Sequence, residues 1–155
     1  MKGNDKVINE LNARLSEELA AINQYFLHAE MCENWRYEPL KAEIKKRSIQ
    51  EMKHAEKLIE RILFLEGRPI VNNLAKMSIG DSVEKMHSID WAAENDAIQK
   101  YNQSIKIAVE VGDNGTKDLL EAILKEEEDH IDWIEAQQDQ IKQMGLPIYL
   151  GEQLG

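Results

Sequence analysis

Two four-residue stretches, Glu51-Met52-Lys53-His54 and Glu127-Glu128-Asp129-His130, each place a carboxylate three residues before an imidazole. In a helix, three residues turn about 300° and rise about 4.5 Å, so each Glu and its His lie on one face, close enough to hold one metal ion. A further carboxylate stands 33 residues before each pair, Glu18 before Glu51 and Glu94 before Glu127. Glu18 sits in a stripe of otherwise apolar or small residues, where an unpaired charge is costly unless something binds it, and Glu94 lies in the inward series Val83, His87, Asp90, Glu94, Ala97, Tyr101, Ile105 and Ala108.

The spacing repeats. The two halves superpose at an offset of 76 residues, which aligns Glu18-x-x-Ala21-Ile22-x-x-Tyr25 with Glu94-x-x-Ala97-Ile98-x-x-Tyr101 and the two ExxH stretches with no gap. One ExxH alone is more often a solvated helix face than a metal site. The duplication, the apolar setting and the matched upstream Glu argue against that here. Four carboxylates and two neutral imidazoles sum to −4, which two divalent cations cancel, so two metals fit better than one. Oxygen-rich ligation with one nitrogen per ion suits iron or manganese and tolerates zinc, and two redox-active ions side by side suit oxidation by dioxygen or peroxide.

Other residues near these stripes take lesser roles. Tyr25 and Tyr101 share the faces of Glu18 and Glu94, where they would hydrogen-bond a carboxylate or donate an electron, and core packing explains them equally well. Met52 is turned about 100° from Glu51, toward a bundle surface or a subunit interface, with gap filling as the plainer alternative. His28 and His87 have no inward Glu three residues before them and read as polar packing residues. In the run Glu126-Glu127-Glu128-Asp129 only Glu127 fits the inward series.

Four long amphipathic helices are needed to position this set. The first is expected from Asp5 to about Asn34, with Ile8, Leu11, Leu15, Ile22, Tyr25, Ala29 and Cys32 inward and Glu18 in the gap. It should end near Tyr37-Glu38-Pro39. The second runs from about Pro39 to Glu66 and is stopped by Gly67-Arg68-Pro69. The stretch from Gly67 to about Asp81 has no helical period and is too long for a tight turn, so it reads as a crossover along the bundle. A third helix, capped by Asp81 or Ser82, reaches Val111, and a turn at Gly112-Asp113-Asn114-Gly115 leads into a fourth from about Thr116 to Met144. The tail after Gly145, with Pro147 at a first helical position, is either a short fifth helix or a loose end; the short helix is preferred. No strand pattern is present. The expected fold is an all-α four-helix bundle made of two hairpins related by a pseudo-twofold axis.

Composition sets outer bounds. The 155 residues suit one domain, 1–155, and the formal charge of −10, from 29 acidic against 19 basic residues, disfavours nucleic acid and anionic membranes while attracting cations. Cys32 is the only cysteine, so no internal disulfide or CxxC metal site is available, and the cytoplasm is the expected compartment. No window approaches a membrane span, and the N-terminus lacks a signal-peptide pattern.

From MKGNDKVINELN through EELAAINQYFLHA, EMKHAEKLIERILFLEG and EEEDHIDWIE to the tail, the chain resembles a bacterioferritin subunit. That resemblance implies a ferritin-like domain and a ferroxidase centre at Glu18, Glu51, His54, Glu94, Glu127 and His130, with Glu51 and Glu127 bridging two iron ions. It implies iron storage: Fe(II) is oxidised by O2 or H2O2 and kept as ferric mineral in a homo-oligomeric cage of twenty-four subunits. It also implies a b-type haem shared between two subunits, with Met52 as axial ligand, a ferredoxin as reductant for iron release, and a fifth helix near a fourfold channel. Some members carry a His and an Asp on the cavity side of the second helix for an extra iron site, where this chain has Lys46 and Gln50. The rival expectations are a di-iron oxygenase or manganese catalase, and a structural bundle stapled by zinc.

Overall fold

The computed structural model describes residues 1–155 and contains five helices and no strand. They are α1 (Asp5–Asn34), α2 (Glu38–Phe64), α3 (Val83–Glu110), α4 (Asn114–Met144) and α5 (Leu146–Glu152). Three of the four long helices begin where a side chain satisfies a free amide, and α2 begins instead with Pro39 in its first turn. Asn4 accepts from the Lys6 amide at 2.8 Å, Ser82 from Lys85 at 3.3 Å, and Asp113 from Thr116 at 3.0 Å.

The expected boundaries shift by two residues at two places, each for a local reason. First, α2 ends at Phe64 and not Glu66, because Glu66 itself adopts the left-handed conformation, φ 60°. The amide of Gly67 then closes the turn onto the Ile62 carbonyl at 2.9 Å. Gly67 is needed for proximity, since a Cβ there would lie 2.8 Å from Ile8 and 3.0 Å from Ile62. Second, α4 begins at Asn114, two residues before the expected start, because Asp113 caps it while also accepting from the Arg61 guanidinium at 2.8 Å. Helix α1 stops at Asn34 as expected, and Arg36 takes φ 67° before Pro39 enters the first turn of α2.

Helices α1 and α2 pack as one hairpin and α3 and α4 as the other, with α1 against α3 and α2 against α4. The crossover runs alongside α1 and in the same direction. Ile70, Ala75, Ser78 and Gly80 donate their amides in turn to Asn12, Ser16, Gln24 and His28. It thereby returns the chain to the far end of the bundle, and α3 descends antiparallel to α1. His28, expected only to pack, turns out to fix this strap: its Nε2 accepts from Gly80 at 3.0 Å and its Nδ1 faces Asp90 at 3.0 Å.

The interior is divided. One apolar cluster gathers Leu11, Leu15, Leu58, Ile62, Leu120 and Ile123, and the other gathers Ala29, Cys32, Leu40, Ile44, Met86 and Tyr149. The Glu and His residues of the repeat fall between them. Helix α5, preferred from Pro147, is present, and it carries a residue absent from the inward series. Tyr149 is fully buried, donates to Gln137 at 2.6 Å and meets His87 Nε2 at 3.1 Å, which docks the tail onto the bundle.

Candidate metal centre

All six residues singled out by the repeat converge, and none is more than 3 % exposed, so none belongs to a solvated helix face. They form two overlapping groups, Glu18, Glu51, His54 and Glu127 in one and Glu51, Glu94, Glu127 and His130 in the other. In each group the possible ligand atoms lie within 4.8 Å of one another. Glu51 and Glu127 belong to both, which is the geometry of bridging carboxylates. His54 Nδ1 lies 3.1 Å from Glu127 and 3.5 Å from both Glu18 and Glu51. His130 Nδ1 lies 3.2 Å from Glu51, 3.5 Å from Glu94 and 3.6 Å from Glu127.

The donor set also meets an independent test of fit. Buried polar atoms are almost always paired, and leaving one unpaired costs about 1–3 kcal/mol. Seven buried side-chain atoms here have no hydrogen-bond partner, and six of them are one atom from each of Glu18, Glu51, His54, Glu94, Glu127 and His130. Unpaired donors concentrated at one point are what a site built for cations requires. The seventh, His87 Nδ1, lies apart, at the α5 contact.

Charge reinforces this arrangement. Burial and the neighbouring carboxylates push the Glu51 and Glu127 carboxyl groups well above the usual range. Burial pushes Glu94 the same way, but hydrogen bonds to Glu127, His130 and Tyr25 override it and hold Glu94 down at about 2. Burial alone would lower His54 and His130; their carboxylate partners, Glu18 for one and Glu127 for the other, leave both raised. Without metal, therefore, the cluster lessens its repulsion by retaining protons.

Both tyrosines hydrogen-bond a carboxylate, and in each case one on the other hairpin: the Tyr25 hydroxyl donates to Glu94 of α3, and Tyr101 of α3 donates to Glu18 at 2.6 Å. Each hairpin thus steadies the other's terminal carboxylate. Both phenols are pushed well above their usual range, by burial first and by the adjacent carboxylates next, so they remain protonated donors.

Two contributing residues were missed from sequence. Glu126 accepts from His54 Nε2, and Gln50, through its side-chain oxygen, accepts from His130 Nε2. Glu126 reads as part of a solvated acidic run, and Gln50 drew notice only as a departure from an inner iron site. The signal was available, because residues 50 and 126 are related by the same offset as the ligands.

A cleft of about 250 Å³ between α1 and α3 leads inward from exposed Lys76 and Asp96 to Glu18, Glu51, Glu94 and Glu127. At its mouth the Lys100 ammonium bridges Glu17 at 3.1 Å and Asp96 at 2.8 Å. Met52 stands apart from this centre. It is 47 % exposed, and Ile49, one helical step before it, is 42 % exposed, so α2 leaves an apolar strip uncovered.

The ferritin-like domain family model matches residues 8–144. The chain is 41 % identical over 149 residues to a bacterioferritin of Brucella melitensis, covering 96 % of this chain and 92 % of that one. The chain belongs to the bacterioferritin family. It is likewise 41 % identical over 137 residues to a bacterioferritin of Rhodobacter capsulatus, covering 88 % of this chain and 85 % of the other. To a Mycobacterium tuberculosis bacterioferritin it is 37 % identical over 149 residues, covering 96 % and 94 %. The matched span contains all six clustered residues and the Gln50 and Glu126 partners of the two histidines.

Proposed function

We propose that this bacterioferritin is an iron-storage ferroxidase in which Glu18, Glu51, His54, Glu94, Glu127 and His130 bind two Fe(II) ions as substrate. The observation carrying this is the set of six partnerless buried donor atoms, one from each of these residues. Bound side by side, the two ions supply one electron each to dioxygen or hydrogen peroxide, and the resulting Fe(III) is stored as hydrated oxide.

The chain's own groups prepare the site for this. Acidic residues of the α1/α3 cleft draw Fe(II) in from the surface, and Lys100 occupies part of the mouth. Glu51 and Glu127 offer an oxygen to each position, while Glu18 and Glu94 close the ends under the hold of Tyr101 and Tyr25. The imidazoles present Nδ1 inward because their Nε2 atoms are engaged by Glu126 and Gln50. Protons held by Glu51 and Glu127 leave as cations enter.

Storage implies assembly into a hollow homo-oligomer, and a cage of twenty-four is the family expectation. Met52 is the proposed axial ligand to a b-type haem shared across a twofold axis, and its half-exposed thioether beside exposed Ile49 supports this reading. A small ferredoxin is the proposed reductant for release of iron. The cytoplasm is the proposed compartment, and no helix is long and apolar enough to cross a membrane.

The deciding experiment titrates the purified assembly with Fe(II) under air, recording particle mass and visible spectrum together. Iron storage predicts uptake of far more than two ions per subunit inside a stable particle, with a Soret band when haem is present. Saturation at two ions per subunit in a small oligomer would instead indicate a di-iron oxygenase or manganese catalase. Binding without oxidation would indicate a zinc-stapled structural bundle.

A further inference from the structure

The internal repeat supplies each metal position with matching groups. Glu18 matches Glu94, Glu51 matches Glu127, His54 matches His130, and Tyr25 and Tyr101 exchange partners across the bundle. The match fails at one pair in contact with the histidines, residues 50 and 126. His54 Nε2 donates to the Glu126 carboxylate, whereas His130 Nε2 donates to the side-chain carbonyl of Gln50. The two partners are also joined, since Gln50 Nε2 donates to Glu126 Oε2 at 2.8 Å. One hydrogen-bonded chain therefore runs His130, Gln50, Glu126, His54 across the outside of the centre.

Both links orient their rings alike, holding a proton on Nε2 and turning Nδ1 toward the metal. They differ in charge. An anionic acceptor draws the Nε2 proton more strongly than an amide oxygen does, which makes Nδ1 of the same ring a better donor. The negative charge of Glu126 also lies nearer the His54 position than the His130 position, because it contacts His54 directly and reaches His130 only through Gln50. Both effects favour a cation at His54.

We propose that Glu126 and Gln50 are positioning residues that make the two metal positions unequal, so that the one formed by Glu18, Glu51, His54 and Glu127 fills first. The inference rests on the two-metal assignment of the preceding section and adds an order of filling to it. Two further charges differ between the positions: the Arg47 guanidinium, which donates to the His130 carbonyl at 3.0 Å and disfavours a cation there, and buried Asp90, four residues before Glu94, which acts the other way. The Glu126 and Gln50 pair also closes the side of the centre that borders a groove along α2, lined by Lys45, Lys46, Lys53 and Lys57. The first ion is therefore expected at His54 and the second beside His130.

The probe is Co(II), an oxygen- and nitrogen-seeking ion with visible absorption, added to the metal-free assembled protein. Loss of a partner to a ligating imidazole typically weakens metal binding about 10–100-fold. The wild type should show two binding steps separated by about tenfold or more, and crystals prepared with one Co(II) per subunit should give anomalous scattering mainly at the His54 position. Glu126→Gln should weaken the first step about 10–100-fold and merge the two. The double exchange Gln50→Glu with Glu126→Gln keeps the composition of the pair and should restore two steps, with anomalous scattering moved to the His130 position. Equal occupancy in the wild type, or preference for His54 surviving the double exchange, overturns the proposal while leaving a two-metal centre standing. Failure of the wild type to bind Co(II) at either position would overturn the centre itself.

Discussion

Replacing Glu51 with Gln tests whether the buried carboxylates are held together for cations. Glu51 is 2 % exposed, belongs to both ligand groups, and leaves Oε1 without a partner. Two unit charges at the outer separation of those groups, 4.8 Å, repel by about 3.5 kcal/mol at an effective dielectric constant of about 20. Protonation of Glu51 already relieves part of this, because burial and the adjacent Glu127 carboxylate hold its carboxyl well above the usual range. An uncharged isostere that can donate to a neighbouring carboxylate should therefore stabilise the metal-free protein by about 1–3 kcal/mol. For a chain of this length that raises the melting temperature by about 2–12 °C. Metal should have the opposite consequence. A ligand at 100 times its dissociation constant stabilises the native state by about 2.7 kcal/mol, and the variant should lose at least half of this gain because both positions lose a shared oxygen. The assay is thermal unfolding of chelator-treated protein with and without Co(II), at one scan rate and protein concentration. A metal-free variant that melts several degrees below wild type, with an undiminished gain from metal, would refute the reasoning and make Glu51 a structural partner.

Glu18→Ala or Glu94→Ala should abolish rapid Fe(II) oxidation in stopped-flow absorbance while leaving helical circular dichroism unchanged, since each removes a terminal carboxylate from one position. Met52→Leu should eliminate the Soret band and spare both oxidation and assembly mass. Raised Glu51, Glu127, His54 and His130 mean that the folded metal-free chain retains protons the unfolded chain has released. Its stability should accordingly be greatest at mildly acidic pH and decline as pH rises through neutrality, whereas metal affinity rises over the same range. Calorimetry of Co(II) binding in two buffers of different ionisation enthalpy should reveal proton release. His87 has the opposite sign: burial lowers it to about 4, so stability from this residue is full above about 6.5 and lost as pH falls toward 4, by about 3 kcal/mol. Tyr149→Phe removes the contacts to Gln137 and His87 that dock α5 and should cost about 1–3 kcal/mol in denaturant unfolding.

Much of the centre was legible along the chain because helical geometry converts spacing into direction. Glu51 and His54 three residues apart, the upstream Glu18, and the same pattern at Glu94, Glu127 and His130 specify one face on each of four helices. The two apolar clusters on either side follow from the same stripes. Local chemistry also narrowed the α3 cap to Asp81 or Ser82, of which Ser82 is the one, and marked Gly145 as the end of α4. Proximity between helices was not legible, since sequence spacing says nothing about which side chain from one hairpin meets which from the other. Spacing left open which carboxylate each tyrosine meets, and packing hands Tyr25 to Glu94 and Tyr101 to Glu18. His28 looked inert until the crossover lay against it. Tyr149 was invisible because a seven-residue helix carries too little periodicity to declare a buried face. Glu126 and Gln50 show the division most clearly: the repeat relates their positions, but only the packing of α2 against α4 brings an acid to one imidazole and an amide to the other. Sequence alone set out two matching sets of Glu and His, because a repeat duplicates residues; tertiary structure decided that their histidines have unlike partners, because hydrogen bonds form between residues that the chain order keeps apart.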